Sequence, residues 1–275
     1  MSWTLLGWVG CLLGCGGDGT GPRLPPVEVR AADLGSPVAL RLANAYELHD
    51  LGAGGSCPCT YHTGMSGIIE VDNLGYGKDV AVRLQDITGS GWREVSARYA
   101  GPGPVPGKEL FVFETPRILT GYYTGSFQFA IRYTVGGATY WDNHGGWNYE
   151  VQGPSYRGDR EAVLGTAPVG LGYAYFFRGS FSGGVLVQDL ASDKKVSIVY
   201  SLDGWKTTQV AAARYDHPGI PGQQWWSFGD PVPSGTTAVD FAVSYQVAGT
   251  THWDNNLGAN YHLDQSGAAT YQFPR

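Results

Sequence analysis

The sequence predicts an all-β protein built as two tandem immunoglobulin-like antiparallel β-sandwiches. Three observations predict it: apolar and polar residues alternate in many short segments, glycine and proline separate these segments, and one motif occurs twice. The chain has 275 residues, of which 42 are Gly, 16 are Pro and 17 are Tyr. A hydrophobic fraction of 43% is enough for a folded core, and the alternation favours strands over helices.

A repeated motif divides the chain into two halves. Residues 141–149 read WDNHGGWNY and residues 253–261 read WDNNLGANY, an offset of 112 residues. A period this long predicts duplicated domains, because solenoid repeats are much shorter. The predicted limits are residues 27–152 for the first domain, 153–160 for a short polar link and 161–275 for the second domain.

An alternating strand precedes each motif. Its apolar positions are predicted to face a core, and they are Phe127, Phe129, Ile131 and Tyr133 in the first copy and Val239, Phe241, Val243 and Tyr245 in the second. A turn follows each strand, at Gly136-Gly137 and at Ala248-Gly249, and predicts a hairpin into the motif. Further short strands upstream, separated by glycine and proline, complete the pattern of an antiparallel sandwich.

The N-terminal residues 1–14 are apolar, too short to span a bilayer, and predicted to be a secretory signal. They lead into Leu12-Leu13-Gly14-Cys15, which resembles the lipobox of bacterial lipoproteins. This resemblance implies export, a lipid on Cys15 that anchors the chain at the outer membrane or cell surface, and a flexible tether over residues 15–26. A wrongly assigned start codon is the alternative.

Two further cysteines, Cys57 and Cys59, lie close to His62 in the sequence. An exported chain can form a local disulfide, whereas a zinc site usually needs four ligands and only three candidates crowd here. We therefore expect a disulfide between Cys57 and Cys59 that closes the loop, rather than a metal site, and we expect no cofactor.

Charge and motifs argue against several classes of function. The net charge is −6 and the Lys and Arg residues are scattered, whereas nucleic-acid binding needs a basic surface. The sequence has no Gly-x-Ser-x-Gly, no His-Glu-x-x-His and no phosphate loop. Only one acid recurs in the motif, as Asp142 and Asp254, while glycoside hydrolysis mostly needs a pair. We expect no enzymatic activity, with a hydrolase site confined to one copy as the alternative.

The residue types kept in both copies, Trp, Asn and Tyr, suit a sugar ligand. An aromatic ring covers the C–H face of a sugar, and an Asn side chain both donates to and accepts from hydroxyls. Stacking over roughly 100 Å² at about 25 cal/mol/Å² gains at most about 2.5 kcal/mol per ring. Association costs offset much of this gain, so a single site is expected to be weak and two linked sites to gain avidity.

Each of these residues also has a purely structural interpretation. Trp92 and Trp205 each follow a glycine, which predicts turn-like, exposed settings, although Trp in a sandwich is often core. The asparagines of the motifs either bind ligand or tie their own loops. Tyr149 and Tyr261 are expected in the core, and Asp142 and Asp254 are expected to brace the turn.

The motif Trp-Asp-Asn-x-x-Gly-x-Asn-Tyr at the end of an alternating sandwich resembles the family 21 carbohydrate-binding modules. These are the starch-binding domains of some fungal glucoamylases and the glycogen-binding domains of protein phosphatase 1 targeting subunits. The segment GIIEVDNLGYGKDV at residues 67–80 carries the resemblance further. It implies α-1,4-glucan ligands, starch or glycogen, and makes secreted amylolytic enzymes candidate partners.

The resemblance also implies particular site residues. Its first site takes a Trp after the third strand, the aromatic that opens the motif and the last Asn of the motif. Its second site takes aromatics at Tyr76 and Tyr99, and the second copy has Ser192 in place of Tyr76. A third contributing ring of the family falls at Ala130 and Ala242, so both copies lack it. The candidate carbohydrate-binding residues are Trp92, Trp141, Asn143, Asn148, Tyr76 and Tyr99 in the first copy, and Trp205, Trp253, Asn255, Asn260 and Tyr215 in the second.

Two rival functions remain at this stage. The aromatics could be core residues of an adhesive or structural β-sandwich protein. A glycogen-targeting regulatory scaffold becomes the main rival if the chain is intracellular. The phosphatase-docking motif of such scaffolds does not carry over, because Lys195-Val196-Ser197-Ile198 ends in Ile and lies in a predicted strand.

Overall fold

The structure is a computed structural model that describes residues 36–50, 60–86, 88–89, 91–119, 126–152, 162–177 and 179–264. These residues belong to one compact unit that spans residues 31–275. The predicted signal, tether and link, together with Cys15, Cys57 and Cys59, lie outside the described residues, so what was predicted for them stays a prediction. In the described ranges, no helix has the length and apolar character needed to cross a membrane.

The first sandwich contains ten strands among the described residues. They are β1 (Val38–Asp50), β2 (Thr60–Asp72), β3 (Asp79–Gln85), β4 (Trp92–Ser96), β5 (Arg98–Pro102), β6 (Lys108–Glu114), β7 (Ile118–Leu119), β8 (Ser126–Val135), β9 (Ala138–Asp142) and β10 (Tyr149–Gln152). Sheet A runs β1-β2-β6-β5, with β7 paired to β2. Sheet B runs β10-β8-β3-β4, with β9 paired to β8.

The second sandwich repeats this plan. Its strands are β12 (Val169–Phe177), β13 (Ser180–Gln188), β14 (Lys195–Ser201), β15 (Gln209–Ala212), β16 (Arg214–Pro218), β17 (Gln223–Pro231), β18 (Ala238–Val247), β19 (Thr250–Asp254) and β20 (Tyr261–Asp264), and the linking strand β11 (Ala162–Leu164) precedes them. Sheet C runs β12-β13-β17-β16, and sheet D runs β15-β14-β18-β19, with β20 paired to β18. One-turn 3₁₀ helices, His144–Gly146 and Asn256–Gly258, lie within the two motifs.

Each sandwich has its own apolar core between its two sheets. The residues predicted to face a core are buried in both copies: Phe127, Phe129, Ile131 and Tyr133 in β8, and Val239, Phe241, Val243 and Tyr245 in β18. Since successive residues of a strand point to opposite faces, the residues between them lie on the outer face of the sheet. The predicted fold class, two tandem antiparallel β-sandwiches, is confirmed.

Both predicted hairpins are present, and each turns through two residues with positive φ. Gly136 and Gly137 have φ of 58° and 82°, and Ala248 and Gly249 have φ of 48° and 73°. Positive φ at both central residues is typical of a type I′ turn, whose twist matches that of the paired strands. Ala248 adopts this conformation at a steric cost, because its Cβ atom crowds the following carbonyl.

A strand joins the two sandwiches. β11 pairs antiparallel with β1 and so forms the edge of sheet A. Val163 of β11 packs in the first core. Its neighbour Leu164 packs instead with Leu42, Leu186 and Trp225, in a separate apolar cluster between the sandwiches.

Side-chain amides fix this junction further. The buried Asn44 donates to the carbonyl oxygen of Gly172 at 2.6 Å and to that of Leu171 at 3.3 Å. Gln223 donates to the carbonyl oxygen of Leu164 at 2.7 Å and accepts from its N–H at 3.2 Å. Because buried backbone groups are costly to leave unpaired, these bonds favour one relative position of the sandwiches.

Candidate functional site

The aspartate of the first motif braces the loop against the opposite sheet, as the sequence predicted. Its Oδ2 atom accepts hydrogen bonds from the N–H of Leu40 and from the hydroxyl of Tyr149, both at 2.8 Å. Tyr149 is buried, as expected, and burial beside Asp142 raises the pKa of its hydroxyl. These bonds tie the end of β9 to β1 and so fix where the motif loop leaves the sheet.

The aspartate of the second motif makes the same bonds in a more enclosed setting. Asp254 accepts from the N–H of Leu171 at 2.6 Å and from the hydroxyl of Tyr261 at 2.9 Å. Burial raises the pKa of Asp254, and it also raises the pKa of Tyr261 well above its usual value. Protein donors occupy both carboxylate oxygens, so Asp254 acts as a brace.

The first asparagine of each motif ties its own loop. Asn143 Oδ1 accepts from the N–H of Gly146 at 3.0 Å, and Asn255 Oδ1 accepts from the N–H of Gly258 at 3.1 Å. Each thereby caps the 3₁₀ helix of its motif. Their Nδ2 groups make no hydrogen bond to any described residue, so each can still donate to a ligand.

The last asparagine of each motif is held by its backbone alone. Asn148 and Asn260 both have φ of 61°, a left-handed conformation that Asn tolerates better than most residues. Their N–H groups donate to the carbonyl oxygens of Asn143 and Asn255, each at 2.8 Å. Neither side-chain amide is bonded to a described residue, and both residues are partly exposed. The two motif loops therefore present the side-chain amides of Asn148 and Asn260 at equivalent places, and no described residue binds either amide.

His144 in the first motif and Asn256 in the second each contact the backbone carbonyl oxygen of the last Asn of the motif. His144 Nδ1 lies 3.3 Å from the carbonyl oxygen of Asn148, and the ring stacks on Tyr149 at 4.8 Å. Asn256 Nδ2 donates to the carbonyl oxygen of Asn260 at 3.0 Å. The substitution of His for Asn thus preserves the shape of the loop.

Trp141 and Trp92 lie on the same outer face of sheet B. The register pairs Trp141 with Arg132 of β8, and Trp92 with Gln85 of β3. Paired residues share a face, so both side chains project from the side of the sheet away from the core. Four residues along β8 and three strand spacings separate them, which places their Cα atoms about 20 Å apart. Ala130 lies between them, without a ring.

The outer faces of sheets B and D differ in charge. On sheet B, Arg132 binds Asp79 at 2.8 Å and Glu94 at 3.1 Å. On sheet D, Ser244 takes the place of Arg132 beside the motif tryptophan, and Val210 takes the place of Glu94. The row of Trp253 and the neighbouring row of Val210 are therefore uncharged, while Lys195 stands in the row on the other side. This difference was not predicted, although the aligned sequences of the two repeats contain it.

Trp92 and Trp205 occupy different local structures. Trp205 lies in a turn with φ of 67°, and its N–H donates to Ser201 Oγ at 2.8 Å. The expected turn-like setting is wrong for Trp92, because it begins β4 and pairs there with Gln85 of β3.

Asp203 organises the turn that carries Trp205. Its carboxylate accepts from the N–H of Lys206 at 3.0 Å and from the N–H of Thr207 at 2.9 Å. Bonds from the backbone and side chain of Thr207 lower the pKa of Asp203 to about 2. The turn is therefore held by a carboxylate that stays ionised well into the acid range.

The remaining candidate tyrosines are exposed. Tyr76 lies fully exposed in the turn between β2 and β3, and Tyr99 and Tyr215 stand at equivalent places at 56% and 53% exposure. Tyr99 packs edge-on against Phe111, and Tyr215 packs edge-on against Trp226. These contacts orient the two rings and leave one side of each accessible.

Comparison with known proteins identifies the family. The sequence profile of the carbohydrate/starch-binding module (family 21) matches residues 56–152 and 164–264. The chain belongs to this family. Each matched stretch contains one motif and its preceding strand, so both sandwiches are family 21 modules. The resemblance stated from the sequence is confirmed.

Relatives of these family 21 modules are found in longer proteins. Human protein phosphatase 1 regulatory subunit 3E is 38% identical over 117 residues, which is 41% of this chain and 38% of that protein. The glycogen-binding subunit 76A of Drosophila melanogaster is 38% identical over 86 residues, 30% of this chain and 12% of that protein. The solved starch-binding domain of Rhizopus oryzae glucoamylase, in complex with beta-cyclodextrin and maltoheptaose, is 30% identical with a TM-score of 0.31, covering 36% of this chain and 95% of that one.

Metal-binding groups are not clustered in the described part of these modules, where no set of three or more His, Cys, Asp or Glu side chains comes together. His62 lies on β2, whereas Cys57 and Cys59 lie outside the described residues.

Proposed function

We propose that the chain binds an α-glucan, starch or glycogen, through aromatic stacking and asparagine hydrogen bonds in both modules, and that it does not itself catalyse a reaction. One observation carries the proposal. Each module presents the Trp that opens its motif, Trp141 or Trp253, in a partly exposed position near an Asn whose amide is unused. The family description and the name of a glycogen-binding relative support this class of ligand.

The rings supply most of the binding free energy in this proposal. Trp253 is 51% exposed and Trp205 is 37% exposed, so each has an uncovered surface for a pyranose. Covering about 100 Å² of such a ring gains at most about 2.5 kcal/mol. The separation of Trp92 and Trp141 favours an oligosaccharide over a single sugar, because only a chain reaches both.

The asparagines supply orientation. Asn148 and Asn260 each offer one acceptor and two donors, which match the alternating hydroxyls of a sugar rim. Because their backbone hydrogen bonds already fix the loop, little conformational entropy is lost when the amide engages a ligand.

The carboxylates near the tryptophans support a binding role. Asp79 and Glu94 both contact Arg132, and Asp142 is occupied by Leu40 and Tyr149. Glycoside hydrolysis uses a carboxylic acid and a carboxylate placed on either side of the scissile bond. Here the acids are committed to protein partners.

Two further parts of the proposal concern location and partners. The lipobox-like segment supports an exported chain that is anchored by lipid on Cys15 and works beside secreted amylolytic enzymes. Metabolic labelling with palmitate checks this: the parent chain incorporates label, and Cys15→Ser does not. Equal labelling of both would overturn the anchor.

Phosphatase targeting is not proposed, although several relatives are phosphatase regulatory subunits. The nearest docking-like segment begins at Lys195 and forms β14 in the middle of sheet D. Val196 and Ile198 of this strand are buried in the second core. A segment whose apolar side chains hold the fold cannot present them to a partner.

Binding to insoluble starch and to glycogen, with cellulose as control, tests the proposal. The parent chain should be retained on both α-glucans, and the double variant Trp141→Ala, Trp253→Ala should bind at least about tenfold more weakly. Leu190→Ala removes a half-exposed apolar side chain outside the site and should bind like the parent. No retention of the parent chain would overturn the proposal.

A further inference from the structure

The two modules enclose a cleft beside the second motif. It has a volume of about 300 Å³. Trp253, Asn255 and Leu257 line one side of it, and Arg41 and residues 100–104 of the first module line the other. The tryptophan proposed to stack on glucan thus borders a wall that belongs to the neighbouring module.

The first module has smaller side chains at the place where this cleft forms. At the bulge of β5 it has Gly101, paired with Leu110 of β6. The second module has His217 at that place, paired with Trp225, and the two rings stack at 6.0 Å. Gly101 has φ of 142° and no atom within 4 Å of where a Cβ would lie. The smaller pair leaves open the space that two rings fill in the other copy.

The groups around the cleft suit a neutral, hydroxyl-rich ligand. Trp253 and the exposed Pro102 and Pro104 offer C–H and ring surfaces from opposite sides. Asn255 Nδ2 donates to none of the described residues and is available to a ligand. The charge of Arg41 is balanced by Glu70 at 3.6 Å, so the cleft does not favour an anion.

We propose that this cleft is a glucan subsite shared by the two modules. A chain stacked on Trp253 continues between that ring and the segment 100–104, and Arg41 donates to its hydroxyls. The inference rests on the proposed function and extends it: the second module binds glucan with help from the first. The junction bonds of Asn44 and Gln223 hold the two walls in register before the ligand arrives.

Calorimetric titration with maltoheptaose in the background Trp92→Ala, Trp141→Ala, Tyr76→Ala tests the subsite, because both candidate sites of the first module are then disabled and binding reports on the second module. Pro104→Trp fills the cleft from the first module and should weaken binding at least about tenfold. Ile220→Trp is the matched control. It places the same ring at the equivalent turn of the second module, outside the cleft, and should bind like the background.

A second variant separates contact from obstruction. Arg41→Ala removes donors without adding bulk and should weaken maltoheptaose binding by about three- to tenfold. Urea unfolding of each variant, compared with the background, shows whether the junction is intact. Unchanged affinity in both Pro104→Trp and Arg41→Ala would overturn the shared subsite while leaving the proposed function standing. A background chain that does not bind, beside a parent chain that does, would overturn the subsite by showing that the second module has no site of its own.

Discussion

Leu257 occupies in the second motif the left-handed backbone position that Gly145 occupies in the first, with φ of 58° against 67°. A branched side chain in this conformation costs roughly 1–2 kcal/mol, which glycine avoids. Leu257 recovers this cost by packing against Ile68, Leu110 and Val112 on the outer face of sheet A. Leu257 thus forms a contact between the two modules. Gly145, at the same place in the first motif, has no side chain that could form one.

Substitutions of Leu257 should separate the cost of its left-handed backbone from the stabilisation by its packing on sheet A. Leu257→Gly relieves the strain but loses the packing, and should lower the free energy of unfolding by about 1 kcal/mol. Leu257→Ala keeps the strain, loses the packing and should be less stable still. Urea denaturation measures both. If the packing on sheet A contributed nothing, the glycine variant would be more stable than the parent by the relieved strain of about 1–2 kcal/mol.

The two hairpin turns give a prediction of opposite signs at equivalent positions. Ala248→Gly removes a Cβ from a left-handed residue and should raise the free energy of unfolding by about 0.5–1 kcal/mol. Gly136→Ala adds that Cβ in the first module and should lower it by a similar amount. Thermal or urea unfolding reports both, and changes of the same sign would contradict the steric argument.

The unused amides of the motif loops allow function to be separated from conformation. Asn148→Gly and Asn260→Gly keep a residue that accepts φ near 61° but delete the amide, so the double variant should unfold like the parent and bind glucan about tenfold more weakly. The matching alanine variants lose the amide and strain the loop. If the glycine variants bind like the parent, the asparagines serve only the backbone.

The turn that carries Trp205 should respond to acid. Asp203 has a pKa lowered to about 2 by Thr207 and Ser201, so its bonds stabilise the fold above its unfolded pKa of about 4 and are lost as pH falls from about 4 to 2. The amide resonance of Thr207 in NMR should titrate with a midpoint near 2. Asp203→Asn should abolish that titration, and a midpoint near 4 in the parent would show that the bonds do not form.

The parts of the fold that depend on local pattern were predictable. The alternation of apolar and polar residues in β8 and β18 correctly predicted which of their side chains are buried, because successive side chains of a strand point to opposite faces. Glycines gave the hairpins because few other residues accept positive φ. The bracing role of Asp142 followed from its place at a turn.

The parts that depend on contacts distant in sequence were not predictable. Trp92 and Trp205 follow similar residues, yet one begins a strand and the other lies in a turn, because pairing with β3 decides the end of the loop. The division of roles among the asparagines depends on backbone geometry: Asn143 and Asn255 cap helices, Asn148 and Asn260 do not, and ligand binding by any of them stays a prediction. Nothing local in Arg41 or Gly101 indicates that a second module will face them.

The pairing of β11 with β1 limits how this chain can be divided. Sequence repeats suggest a cut at the link, yet such a cut would remove Val163 from the first core and expose the backbone N–H and C=O groups of β1 along an open edge. Open edges of this kind recruit strands from other molecules. A first module prepared to residue 152 should therefore aggregate, whereas one extended through Leu164 keeps its edge covered.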